Sequence, residues 1–167
     1  MKKISVITAA LCSLALSMGA HAQASKKDQE FMNKAAAGGM YEVQAGNLAQ
    51  EKGRSAEVKN FGAMLVKDHT AANEELKSLA TSKGVTLPAT VPADKKKRLD
   101  KIAGAKDFDK EFVDEVGMDD HRHDIKLFEK ASKDADDAQV KAFAAKTLPT
   151  LQAHRVHAEG LKKARRP

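Results

Sequence analysis

Four segments of this chain, residues 28–52, 55–83, 107–133 and 136–163, repeat small or apolar side chains at steps of three and four. That spacing follows one face of a 3.6-residue turn, so each segment is predicted to be an amphipathic helix of about 25 residues. An isolated helix is marginal in water until its stripe is covered. Four such helices can cover one another as a bundle. Nothing after the first 24 residues alternates as a half-buried strand would. The expected fold class is all-α.

The connections set the topology. Ser55 is placed to cap the second helix, and Gly84 to stop it. Leu87-Pro88 and Val91-Pro92 then interrupt regular structure, and residues 94–103 are predicted to form a short extra helix. The first and second helices, and the third and fourth, are joined by short turns and should be antiparallel pairs. The segment between the second and third is about 24 residues, long enough to travel back along a bundle of about 38 Å. A ferritin-like four-helix bundle has one such long crossover. Pro149 falls inside the fourth pattern and is expected to kink that helix. Gly38, Gly39 and Gly46 each cost about 1 kcal/mol in a helix interior, which close packing on a neighbour would offset.

The stripes are not wholly apolar. Glu42 lies on the first, among Phe31, Ala35, Gly39, Gly46 and Ala49. His69 lies on the second between Leu65 and Ala72, His121 on the third between Met118 and Ile125, and His154 on the fourth between Leu151 and Ala158. One carboxylate and three imidazoles on four helices is how metal sites in bundle cores are built. Left unpaired, such groups would cost several kcal/mol. The expectation is one divalent transition metal held by Glu42, His69, His121 and His154. Zinc or iron is favoured over calcium, because nitrogen ligands disfavour hard ions. Asp68 and Asp120 stand beside two of the histidines and are expected to orient ligands from an adjacent helix. His157 is one step along the fourth helix and a further ligand candidate, while His123 should be exposed. The competing reading is a non-catalytic structural or interaction bundle of the cell envelope, whose histidines are buried and bonded to separate groups.

Several functions are excluded. A di-iron site takes Glu-x-x-His motifs, yet Val66, Met118 and Leu151 occupy the positions three before the histidines. No Gly-x-Ser-x-Gly element is present, and no residue presents itself as a catalytic acid or base, which leaves enzymatic activity open. Nucleic-acid binding lacks the continuous basic face and the stacking aromatics it needs: there are six Phe, one Tyr and no Trp. Residues 1–24 read as a signal peptide, with Lys2-Lys3, an apolar run from Ile4 to Met18, and small-x-small sites ending at Ala22 and Ala24. Export to the periplasm follows, with a mature chain that starts at Gln23 or Ser25. Its only cysteine, Cys12, is lost with the signal, so no disulfide forms. No later segment is apolar enough to span a membrane. The glycines of the first helix leave room for self-association as a homo-oligomer; no particular envelope partner is indicated.

The run Ala36-Ala37-Gly38-Gly39-Met40-Tyr41-Glu42-Val43 resembles the DUF4142 family, as do Val66-Lys67-Asp68-His69-Thr70, Asp120-His121, and Phe143 to Leu151 followed by His154. The likeness spans residues 28–162. It implies an exported, ferritin-like domain over residues 25–167, and Glu42, His69, His121 and His154 match the polar positions of its motifs. The segment Val116-Gly117-Met118-Asp119 departs from the family's usual pattern ahead of Asp-His. The resemblance implies no established activity.

Overall fold

The computed structural model describes residues 23–165, so the expected signal peptide lies outside it except for its last two residues. Helix α1 (Lys26–Lys52) is capped by the Ser25 hydroxyl, which accepts from the Asp28 backbone N–H. Helix α2 (Ala56–Ser82) is capped in the same way by Ser55 and ends before Gly84, whose φ of 66° needs a residue without Cβ. Residues 83–107 form the crossover and contain α3 (Ala93–Ala103), which buries Leu99 and Ile102. The next helical run is continuous but not uniform. It opens as α4 (Phe108–Phe112), widens into a π-helical segment (Val113–Asp120), and returns to α-helix as α5 (His121–Asp134). Helix α6 (Ala138–Ala164) runs through Pro149, which is exposed, without interruption.

Two buried aspartates pin opposite ends of this all-α bundle. Asp28, at the start of α1, accepts from the backbone N–H groups of Asp136 and Asp137 in the α5–α6 turn, at 3.1 and 2.8 Å. Asp109, at the start of α4, accepts from those of Arg54 and Ser55 in the α1–α2 turn, at 2.8 and 3.0 Å. The start of α4 is therefore at the end where α1 turns into α2. Since α2 has meanwhile run to the other end, the crossover must travel the length of the bundle. The expected long crossover with a short extra helix is present. The expected single α-helix over 107–133 is not, because the π-helical turns occupy its middle.

The apolar interior is split. One cluster includes Phe31, Met32, Leu76, Phe128, Phe143 and Leu151; the other includes Tyr41, Phe61, Leu65, Phe112, Val116 and Ala158. Along the long helices, His69, His121 and His154 each fall where the chain passes from one cluster to the other, and Glu42 follows Tyr41 at the near edge of the second. They make a polar layer across the middle of the bundle. Nearby, α1 and α2 approach at backbone contact: a Cβ on Gly46 would lie 2.6 Å from the Gly62 carbonyl oxygen, and one on Gly62 equally close to that of Gly46.

Candidate metal centre

All four polar stripe residues are buried. Three of them meet. His69 on α2, His121 at the start of α5 and His154 on α6 each offer a ring nitrogen within 4.8 Å of the other two. His121 Nε2 lies 3.1 Å from His154 Nδ1. His69 Nε2 is buried and has no hydrogen-bond partner among the described residues.

The far sides of two rings are anchored. His121 Nδ1–H donates to the Val116 carbonyl at 2.9 Å, while the His121 backbone N–H goes to Met118. The π-helical segment makes this geometry: its wider turns bring a carbonyl five residues back beneath the imidazole. His154 Nε2–H donates to Asp68 Oδ2 on α2, at 2.9 Å. A neutral imidazole carries one N–H and one lone pair. With both N–H groups engaged outward, His121 Nε2 and His154 Nδ1 turn lone pairs toward each other. Such an arrangement is repulsive unless a proton or a metal cation stands between them.

The rings are kept neutral. Burial pushes His69 well below the ordinary histidine range, and the neighbouring His121 and His154 add to the effect. Burial lowers His121 to about 4, against the upward pull of its bond to Val116. Burial outweighs Asp68 at His154, which is also lowered. The apolar wall includes Phe61, whose ring lies 6.5 Å from that of His121 and 6.4 Å from that of His154.

Glu42 does not join the three nitrogens, contrary to the sequence expectation. Its Oε1 is 3.7 Å from Nδ1 of His121, the edge already turned to Val116, and the cluster is histidine-only. Neither Glu42 oxygen has a hydrogen-bond partner among the described residues. Burial, reinforced by Asp124 and Asp120, holds its carboxyl well above the usual range. Burial thus favours its neutral, protonated form. The physical reason for the miss is rotational: a residue on the core-facing stripe can still point past the site by one ring edge.

The two candidate orienting aspartates separate. Asp68 holds His154. Asp120 instead accepts from the Tyr41 hydroxyl at 2.9 Å and pairs with Arg98 at 3.3 Å, tying α1, the π-helical segment and α3 together. His157 is outside the cluster and stacks on Phe61 at 5.2 Å between ring centroids. His123 is exposed, as expected. Sequence reasoning missed the Val116 carbonyl. The available signal was the two-residue step from Val116 to Met118, which breaks the three-and-four pattern just before His121.

His69 and His154 also form the floor of a cleft of about 240 Å³ between α2 and α6, rimmed by Asp68, Glu75, Lys146 and Thr150. His121 is fully buried. Among the described residues, no helix is long and apolar enough to cross a membrane.

The chain belongs to the family described as "Domain of unknown function (DUF4142)", which matches residues 13–161. No curated protein matches it. Its fold is similar to that of a DUF305 fragment from Deinococcus radiodurans, with a TM-score of 0.73, 10% identity, and coverage of 84% of this chain and 99% of that one. It is similar to CopM in the Cu(I)-bound form, with a TM-score of 0.70, 15% identity, and coverage of 82% and 96%. It is likewise similar to CopM in an Ag-bound form obtained by soaking, with a TM-score of 0.69, 17% identity, and coverage of 84% and 97%. The expectation of zinc or iron is thereby corrected: these metal-bound structures hold copper or silver.

Proposed function

We propose that this DUF4142 protein holds one copper- or silver-type ion through His69, His121 and His154, and that it is an ion-binding protein of the cell envelope. The observation that carries the reading is the set of three buried, neutral imidazoles whose nitrogens converge while two of their outer N–H groups are anchored elsewhere. Imidazole is a good ligand for copper, and copper heads the affinity order of the divalent first-row metals. The copper- and silver-bound forms of CopM, which share the fold, support the choice of ion. The long crossover and the mid-bundle site support describing the architecture as ferritin-like.

The signal-like residues 1–24 support export. Ala24 is buried against the core and its carbonyl accepts from Gln29 Nε2 at 2.7 Å. This favours processing that leaves Gln23 first.

A second reading has one observation behind it. His121 Nε2 and His154 Nδ1 are 3.1 Å apart, so if His154 carried both protons it would donate to Asp68 and to His121 Nε2, and the cluster would be a buried network with no metal, closed except at His69 Nε2. The test is metal analysis of untagged protein titrated with Ag(I) or Cu(I) under reducing conditions. One ion per chain is expected in the wild type, with none retained by the double variant His69→Ala, His154→Ala. Wild-type protein that binds neither ion, and gains no thermal stability from them, would reject the site and favour the closed network.

A further inference from the structure

We infer that Asp68 is a positioning residue that makes His154 bind its ion through Nδ1, so that the site takes one Nδ1 and one Nε2 from the pair His154 and His121. This rests on the metal-binding reading above. The two rings are held by opposite nitrogens. His121 is held from behind through Nδ1, by a main-chain carbonyl of its own helical run, and presents Nε2. His154 is held through Nε2, by a side chain of a different helix, and presents Nδ1. Nδ1 is the nitrogen nearer the backbone. A ligand reaching through it stays short, which suits a site squeezed between helices at the middle of the bundle.

Asp68 can hold this arrangement because of where it stands. It is on α2 one residue before His69, so its side chain leaves the helix about 100° away from that of His69. His69 points into the core, and Asp68 points along the α2–α6 cleft, where its side chain is 30% exposed. One turn of α2 thus supplies a ring to the site and, from outside, the acceptor that orients a ring on α6. Partial solvation keeps the carboxylate an acceptor without the cost of a fully buried charge. Turning the His154 ring over would put Cδ2 where Nδ1 stands and Cε1 where Nε2 stands, so that neither His121 nor Asp68 would face a ring nitrogen. Outer partners of this kind fix the tautomer and orientation of histidine ligands, and their loss commonly costs 10–100-fold in metal affinity.

The test uses ¹⁵N-labelled full-length mature protein as wild type, Asp68→Asn and Asp68→Ala. Two-bond ¹H–¹⁵N spectra of the metal-free proteins read the His154 tautomer. Spectra of the silver-loaded proteins read which nitrogen couples to the spin-½ silver nucleus. The wild type should show His154 with its proton on Nε2, and silver coupling at His154 Nδ1 and His121 Nε2. Asp68→Asn, whose amide oxygen can still accept, should keep the tautomer and most of the silver affinity. Asp68→Ala should lose the single tautomer and bind silver about 10–100-fold more weakly. Wild-type His154 protonated on Nδ1 or on both nitrogens, or an Asp68→Ala variant with unchanged tautomer and affinity, would overturn the inference. A wild type that has the Nε2–H tautomer but binds no silver would leave the orienting bond standing and remove the metal-binding reading instead.

Discussion

At the scale of single residues, burial without compensation is the recurring theme. Three imidazoles and a carboxyl group share the mid-bundle layer, and burial disfavours the charged form of each. This gives the metal-free protein a definite pH response. An ordinary histidine takes its proton near 6.5, whereas folded His121 resists until about 4. Between those values the unfolded chain binds a proton that the folded chain refuses, so stability falls as pH falls through that window. For His121 alone the loss amounts to about 3 kcal/mol once the pH is below 4. Asp124 acts in the opposite sense. Burial raises it to about 6, so the folded chain takes that proton first and stability is gained as pH falls from 6 toward 3.8. The two can be separated by substituting His121 with Gln and measuring urea unfolding at pH 7 and pH 4.5. The variant should be less stable at pH 7, and its deficit should shrink by about 2 kcal/mol at the lower pH. An equal deficit at both values would show that His121 titrates normally in the folded chain.

At the scale of elements, small residues decide how closely helices can run. The Gly46–Gly62 crossing puts the backbones of α1 and α2 in contact, and a methyl group on either would meet a carbonyl oxygen at 2.6 Å. Backbone cannot step aside as a flexible side chain can. Gly46→Ala should therefore cost about 1–3 kcal/mol in chemical unfolding despite the better helix propensity of alanine. Gly38→Ala is the control: its nearest neighbour would be the Asp124 carboxylate at an ordinary 3.6 Å, so propensity should win and stability should stay level or rise by up to about 1 kcal/mol. Equal effects at the two positions would contradict the crossing. The π-helical segment belongs to this scale as well. It carries Gly117, where a Cβ would lie 2.6 Å from that of Ala158, and brings the Val116 carbonyl to the His121 ring. One irregular stretch thus sets both the α6 approach and the orientation of a candidate ligand.

At the scale of the whole molecule, the two aspartate clamps fix the topology. Each joins elements far apart in sequence: Asp28 holds a turn 108 residues away, and Asp109 one 55 residues away. Both convert exposed-turn N–H groups into charge-assisted bonds at an end of the bundle, and Arg165 reinforces Asp109 at 3.4 Å. Removing Asp109 would leave the Arg54 and Ser55 N–H groups without their acceptor where the end of the crossover meets the α1–α2 turn, with only the Arg54 side chain's bond to the Lys106 carbonyl beside it. Asp109→Ala should lose about 2–4 kcal/mol, read as a lower urea midpoint at pH 7, and Asp109→Asn less, since one acceptor oxygen remains. A loss under about 0.5 kcal/mol would mean that packing of the two apolar clusters holds this end without the clamp.

What was legible in the sequence is what local periodicity controls. The long helices, the Ser55 cap, the Gly84 stop, the short helix after Pro92 and the crossover all follow from spacing and from residues whose backbone preferences act within a few positions. The burial of Glu42, His69, His121 and His154 follows too, because a stripe position on an amphipathic helix faces the core. Periodicity says which face a residue occupies but not where its terminal atoms stop. Only the packed structure separates Glu42 from the three histidines, gives Asp68 rather than Asp120 to the cluster, and stacks His157 on Phe61. Those outcomes depend on helix rotation and on distances of one or two ångströms between chains remote in sequence. The π-helical turns lie between the two regimes: the irregular step from Val116 to Met118 is visible in the sequence, but widening a helix costs backbone geometry that only tertiary contacts, here Gly117 against Ala158 and the buried His121, can offset.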